Sequence, residues 1–170
     1  MPDTAPKIRQ RTFTDEWNIR SYIAEVHDGD TVLAWLDLGA RFYIGSQQKP
    51  VYVRFAGCDT AELKSTDPAL KAKADQGKQF VADRLKVGDM VWLQTYKSGD
   101  TNGLFDKYGR ILSDVYYKLP LPPVPPKKKG QPAPTPPVQQ WSCLNDELLA
   151  SGLAKAYDGG SKAGLWTDGT

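Results

Sequence analysis

The stretch VYVRFAGCDTAE, residues 51–62, changes character halfway along its length. Its first part alternates, so that Val51, Val53 and Phe55 point to one face and the residues between them point to the other. This period of two predicts a β-strand with one buried face. The alternation stops at Gly57, which indicates that a turn follows the strand.

Three charged groups surround this turn, with Arg54 before it and Asp59 and Glu62 after it. Clustered charges at the end of a strand are costly to desolvate unless they bind something. A strand that needed only a soluble turn would more often have Gly, Asn or Ser at these positions. We therefore interpret the stretch as one half of a metal-assisted phosphate site.

The composition predicts one ordinary globular domain. The chain has 170 residues, of which 40% are hydrophobic and 25% charged, enough for a single sizeable core. No apolar run is long enough to span a membrane, and the first residues lack the apolar centre of a secretion signal. We expect a cytoplasmic protein without a membrane partner. The net charge of +2 is too small to indicate a nucleic-acid partner by itself.

Cysteine and histidine are too few to form a zinc site. The two cysteines, Cys58 and Cys143, are far apart in sequence, and His27 is the only histidine. Two free and largely buried thiols are the expected state, since two cysteines make neither a disulfide framework nor a metal quartet.

The pattern of elements predicts an α+β domain that is mainly β. An Asp-Gly turn joins the first two strands, which is a strong hairpin signal. Helical spacing follows the third strand, and Gly88 ends that segment. Five strands with a helix between the third and fourth are the order of a Greek-key barrel of the OB type, with about two helices in all. The predicted elements are strands from Trp17 to Val26, Val32–Leu38, Val51–Ala56, Met90–Tyr96 and Arg110–Tyr117, and helices Ala69–Leu85 and Leu144–Ala150.

A proline-rich insertion interrupts the predicted domain at residues 119–138. Nine of the 13 prolines lie between Pro120 and Pro137, around the basic run Lys127–Lys129. Because proline cannot donate to a ladder, we interpret this insertion as an exposed polyproline-type spacer. The alternative is an adaptor segment with a weak protein partner, since PxxP spacing is present. The remaining divisions are a flexible arm at residues 1–16, the domain at 17–166 and a tail at 167–170.

The first hairpin turn supplies a second group of acids. Asp28 and Asp30 flank Gly29, but Val32 takes the third ligand position of a calcium loop and no glutamate closes it, which excludes an EF-hand. Paired with Asp59, these carboxylates suit a calcium or magnesium ion that also takes a backbone carbonyl and waters.

The remaining charged residues suit phosphodiester chemistry. With histidine so scarce, the carboxylate of Glu62 is the candidate base that acts on water. Arg54 and Arg110 are planar, permanently charged groups that bind phosphate oxygens and stabilise the charge of a pentacovalent transition state. Taken alone, the segment that contains Arg110 is equally well an ordinary turn that opens a strand.

Taken together, these motifs resemble those of the staphylococcal nuclease family, also called thermonucleases. The resemblance covers most of the chain, about residues 19–157, and the motifs appear in the family's order. The matching stretches are Asp28-Gly29-Asp30-Thr31, Arg54-x4-Asp59-Thr60-x-Glu62, the helix Gly77–Leu85, Asp106-Lys107-Tyr108-Gly109-Arg110, and Leu144-Asn145-Asp146-Glu147-Leu148-Leu149-x2-Gly152-Leu153-Ala154.

The resemblance implies a five-stranded OB barrel and a calcium-dependent endonuclease. Such an enzyme hydrolyses phosphodiester bonds of DNA and RNA with little sequence preference and leaves 3′-phosphates. The implied roles are calcium binding for Asp30, Asp59 and the carbonyl of Thr60, activation of water for Glu62, binding of the scissile phosphate for Arg54 and Arg110, contact with the terminal phosphate for Lys107 and Tyr108, and a position near the base for Tyr157.

The chain departs from the family pattern in three places. Ala61 stands where the family usually has proline, and the insertion replaces a tight hairpin. After Tyr157 the chain is short, as in the shorter members common among bacterial, plasmid and phage proteins. We expect the protein to be a monomer. The alternative function is a catalytically inactive OB-fold module that binds nucleic acid or protein. Such a module would be expected to lack Arg54, Glu62 or Arg110, and all three are present.

Overall fold

The structure is a computed structural model, and it describes residues 18–37, 43–44, 49–96, 105–124, 126, 135, 137–160 and 165–166. The predicted arm and tail, Trp17, and half of the proline-rich insertion lie outside these residues. The elements are β1 (Asn18–Val26), β2 (Thr31–Asp37), β3 (Tyr43–Ile44), β4 (Val51–Phe55), β5 (Cys58–Thr60), α1 (Pro68–Arg84), β6 (Met90–Tyr96), β7 (Arg110–Lys118), β8 (Trp141–Cys143), α2 (Leu144–Ala150) and β9 (Ala154–Ala156).

Five long strands close into a barrel. The hydrogen-bonded order is β1-β6-β7-β4-β2, and the pairing of β2 with β1 closes the circle. All neighbours are antiparallel except β4 and β7, which run parallel. The helix α1 connects β4 and β5 to β6, between the third and fourth barrel strands. This arrangement is the predicted OB fold, mainly β with two helices.

The barrel interior contains the predicted face of β4. Val53 and Phe55 are fully buried there, whereas Tyr52 on the opposite face is 41% exposed. The helices close the core with Val81 and Leu85 from the α1 end and with residues of α2. Both cysteines are free, as expected, with Cys58 buried and Cys143 half-buried.

Both predicted helices are present. Asp67 caps α1 by accepting a hydrogen bond from the amide of Ala69 at 2.8 Å, and Pro68 occupies the first turn, where its missing N–H costs nothing. The α2 helix has the predicted bounds, and its Asn145 is fully buried. The side-chain amide of Asn145 donates to the carbonyls of Ala56 and Ser113, which fastens α2 to the end of β4 and to β7.

Two short strands that pair with each other, β5 and β9, were not predicted from the sequence. β5 and β9 form a separate two-stranded antiparallel sheet in which Asp59 lies opposite Lys155. The amide of Tyr157 extends this contact by donating to the carbonyl of Gly57 at 3.1 Å. This small sheet brings the C-terminal part of the chain beside the acidic end of the 51–62 stretch.

No helix in the described part of the chain is both long and apolar enough to cross a membrane.

Candidate active site

The turn between β1 and β2 approaches β5 closely because it contains glycine. A Cβ atom on Gly29 would lie 2.9 Å from the side chain of Thr60, closer than real Cβ contacts allow. The side chain of Asp28 remains within the turn, where it accepts a hydrogen bond from the amide of Asp30 at 3.0 Å. Asp28 therefore shapes the turn, and Asp30 is the residue presented to β5.

Thr60 fixes the carboxylate of Asp30. Its backbone amide donates to Oδ2 of Asp30 at 2.7 Å, and its hydroxyl donates to the same oxygen at 3.0 Å. The hydroxyl of Thr31 donates to the other oxygen at 3.1 Å. Asp30 is only 3% exposed, so its orientation depends on these internal donors.

Arg54 lies between two buried carboxylates. One end of its guanidinium forms an ion pair with Asp30, and the other donates to Oδ1 of Asp59 at 2.5 Å. The Arg54 side chain is 12% exposed and that of Asp59 only 1%. Two formal negative charges face one positive charge in this Arg54 cluster, which we define as Asp30, Arg54 and Asp59. Burying charged groups this close together is costly unless they are paired or bind something.

Asp59 also accepts a hydrogen bond from a tryptophan that the sequence did not single out for the site. The indole N–H of Trp166 donates to Oδ2 of Asp59 at 2.8 Å. The ammonium groups of Lys73 and Lys155 lie 5.0 and 4.8 Å from the centre of the indole ring. Trp166 lies 107 positions after Asp59, so no local motif could have revealed this contact.

Glu62 is exposed at an open cleft beside this cluster. The cleft has a volume of about 470 Å³, and it combines a carboxylate, a lysine, two hydroxyls and two apolar side chains. Its lining residues are Glu62, Lys64, Ser65, Thr66, Leu70 and Trp166.

Arg110 begins β7 and is held by an acid of its own turn. Its side chain donates to Oδ2 of Asp106 at 2.9 Å and its amide to Oδ1 at 2.8 Å. Burial alone would raise the pKa of Asp106, but these bonds, the Tyr108 amide and the charge of Arg110 together lower that pKa below its ordinary value. The Arg110 guanidinium lies 5.0 Å from the centre of the Tyr108 ring, and the Lys107 ammonium lies 5.3 Å from the same centre.

The two arginines lie on the same face of neighbouring strands. Arg110 of β7 pairs in register with Tyr52 of β4, and Arg54 pairs with Leu112. Residues two apart on a strand share a face, so Arg54 and Arg110 both point away from the barrel core. Standard strand spacings put their Cα atoms roughly 8 Å apart. Both side chains therefore lie on one outer face of the barrel.

Tyr157 lies beside the turn between β4 and β5. Its amide bonds to Gly57, in the turn that leads to Asp59, and its hydroxyl donates to the carbonyl of Gly160 at 2.6 Å. The sequence-predicted residues thus fall into three groups. Arg54, Asp30, Asp59 and Thr60 are in direct contact, Lys107, Tyr108 and Arg110 share a second turn, and Glu62 and Tyr157 follow β5 and β9.

A comparison with known protein families identifies the family of the chain. The family model described as staphylococcal nuclease homologue matches residues 52–166, about two-thirds of the chain. The match includes every predicted site residue except Asp30, which the first hairpin turn brings to Arg54 and Thr60. The chain therefore belongs to the staphylococcal nuclease homologue family, and it contains a nuclease-type domain that binds nucleic acid.

Proposed function

We propose that the protein is a calcium-dependent nuclease that hydrolyses phosphodiester bonds of DNA and RNA with little sequence preference. The observation that supports this proposal best is the Arg54 cluster, in which two buried carboxylates converge on one guanidinium beside the cleft of Glu62. Charged groups buried together in this way are costly to desolvate, which favours a binding role for the cluster over a purely structural one.

The carboxylates of Asp30 and Asp59 and the carbonyl of Thr60 would hold the calcium ion. Hard divalent cations take oxygen ligands, and the two carboxylates and the backbone carbonyl fit that preference. In the described residues no group of three or more His, Cys, Asp or Glu is arranged around one point, so water or substrate oxygens would complete the coordination. Calcium bound there would polarise a phosphate oxygen as a Lewis acid.

The two arginines bind the scissile phosphate in this proposal. Arg54 has its guanidinium between the carboxylates of Asp30 and Asp59. Arg110 lies on the same face, one strand away. Asp106 holds the side chain of Arg110 at the rim, which reduces the freedom that it would lose on binding phosphate. Both charges stabilise the additional negative charge of the pentacovalent transition state.

Glu62 acts as the base for the attacking water. Its carboxylate takes a proton as the water oxygen forms a bond to phosphorus, and the bond from phosphorus to the 5′-oxygen breaks. The leaving 5′-oxygen takes a proton from solvent, and the phosphate remains on the 3′-oxygen. Lys107 and Tyr108 contact a neighbouring phosphate of the substrate, and Tyr157 lies near a base.

An activity assay with purified protein tests this function. We expect cleavage of single-stranded DNA and of RNA with added calcium, loss of cleavage with a chelator, and products that end in 3′-phosphates. Binding of nucleic acid without cleavage at any calcium concentration would contradict the proposal. That result would support the alternative, an inactive OB-fold binding module.

A further inference from the structure

Trp166 and three lysines form a surface beside the catalytic groups. We define this Trp166 surface as Lys64, Lys73, Lys155 and Trp166. We propose that it binds the substrate strand, with one base stacked on the indole and the neighbouring phosphates on the lysines. This inference rests on the proposed nuclease function and adds a contact region to the same site.

The indole is anchored directly to the catalytic cluster. Its N–H donates to Asp59 at 2.8 Å, and its ring lines the same cleft as Glu62. A nucleotide that stacks on this ring would be adjacent to a phosphate held at Arg54. The position of Trp166 therefore suits the nucleotide next to the scissile bond.

The lysines come from three separate segments and converge on this ring. Lys73 belongs to α1 and Lys155 to β9, and their ammonium groups lie 5.0 and 4.8 Å from the ring centre. Lys64 lines the cleft from the loop after β5. Sites for single strands combine such positive charge, which follows the phosphates, with aromatic rings that stack on bases. The chemistry of the surface is thus that of a sequence-tolerant single-strand site.

Both the Tyr108 turn and the Trp166 surface adjoin Arg54. Arg110 follows the Tyr108 turn and pairs in register with Tyr52, two residues before Arg54 on β4. Trp166 bonds to Asp59, which bonds to Arg54. A strand bound at Arg54 would therefore have both contact regions beside it.

Indole fluorescence tests the stacking contact directly. The probe is a short oligothymidylate, titrated with calcium into protein that carries Glu62→Gln so that it is not cut. We expect the probe to quench the fluorescence, and Trp166→Phe to remove most of that quenching. Trp141→Phe is the matched control, since Trp141 also has a lysine, Lys118, at 5.7 Å but lies at the opposite end of β7. The probe should still quench the fluorescence of the Trp141→Phe variant.

The salt dependence of binding tests the lysines. Each phosphate contact on a single strand contributes about 0.7 to the slope of log affinity against log salt concentration. Lys73→Ala should therefore reduce the slope by about 0.7, while Lys118→Ala should leave it unchanged. Anisotropy of a labelled oligothymidylate gives both slopes, and Trp166→Ala should weaken binding at least about fivefold in the same assay.

The results separate this inference from the function on which it rests. Quenching that survives in Trp166→Phe, or an unchanged salt slope in Lys73→Ala, would overturn the Trp166 surface and leave the nuclease proposal intact. A protein without these substitutions that neither binds nor cleaves the oligonucleotide would contradict both.

Discussion

Arg54 and Asp59 stand five positions apart and are joined by a hydrogen bond of 2.5 Å at the end of β4. The turn at Gly57, which has a φ of 71°, reverses the chain between them and allows the contact. Because Asp30 pairs with the same guanidinium, the removal of Arg54 leaves two buried carboxylates facing each other.

Arg54→Ala should destabilise the calcium-free protein by about 3 kcal/mol, since a buried charge loses its partner. Calcium should then stabilise this variant more than the unsubstituted protein, because the cation no longer competes with the guanidinium for the carboxylates. Urea unfolding with and without calcium measures both effects.

Arg20→Ala is the control, because Arg20 pairs with Asp37 at 2.6 Å but its side chain is 47% exposed. This substitution should lower the unfolding free energy by no more than about 1 kcal/mol. Calcium should stabilise the Arg20→Ala variant as much as it stabilises the unsubstituted protein. Equal stabilisation of all three proteins by calcium would place the cation away from the Arg54 cluster.

Two glycines at the contact of α1 with the first turn should respond oppositely to alanine. Gly29→Ala should cost about 1–3 kcal/mol, because its Cβ would overlap Thr60 at 2.9 Å. At Gly77 the added Cβ meets its nearest neighbours at 3.7 Å, an ordinary contact, so alanine should stabilise the helix by about 0.5–1 kcal/mol. Thermal unfolding of both variants gives the comparison, and equal effects would refute the described approach of the turn to β5.

The network around Glu147 should make the protein sensitive to acid. Burial alone would raise the pKa of Glu147, but hydrogen bonds from Ser142, Arg84 and Tyr117 and the charge of Arg84 lower it below the ordinary 4.5. The folded state therefore favours the ionised form, and this stabilisation is complete above about pH 4.5. It should be lost as the pH falls through the lower folded value.

Glu147→Gln removes this titration, so its unfolding free energy should depend less on pH below that point than that of the unsubstituted protein. Urea unfolding across a series of acidic buffers provides the measurement. Parallel pH profiles for the two proteins would show that Glu147 does not contribute to the acid sensitivity.

The proline-rich insertion should be dispensable for cleavage. It extends from a hairpin in which β7 pairs with β8, and the amide of Leu119 donates to the carbonyl of Gln140 at 3.0 Å where the insertion leaves the barrel. Replacing residues 120–137 with a tight turn should preserve both the fold and the cleavage rate. If the folded variant lost activity, the insertion would be part of the site and not a spacer.

The barrel was predictable because the apolar residues of its longer elements recur with a regular period. β6 and α2 have the predicted bounds, and α1 differs by one residue at each end, since periods of two and 3.6 residues are clear over such lengths. β5 and β9 have three residues each and are too short to show a period. Their pairing, and with it the position of Tyr157, emerged only from the fold.

The site was predictable in part for a similar reason. Arg54, Asp59 and Glu62 are close in sequence, and Asp30 lies in a recognisable turn. Trp166 has no local motif, and its contact with Asp59 depends on how the end of the chain packs. Asp106 and Arg110 are only four positions apart, within a single turn. The acid four residues before the arginine was the sequence feature that could have indicated their pairing.

The decisive measurement for Glu62 is the initial rate of cleavage of single-stranded DNA with calcium, compared between Glu62→Gln and Asp83→Asn. Asp83 is an exposed acid near the end of α1 that accepts a hydrogen bond from Gln79 at 2.7 Å and does not line the cleft. Glu62→Gln should lower the rate at least about a hundredfold, as loss of a catalytic base does, while Asp83→Asn should leave it unchanged. A folded Glu62→Gln protein that cleaves at the rate of the unsubstituted protein would contradict the proposed role of Glu62 as the base.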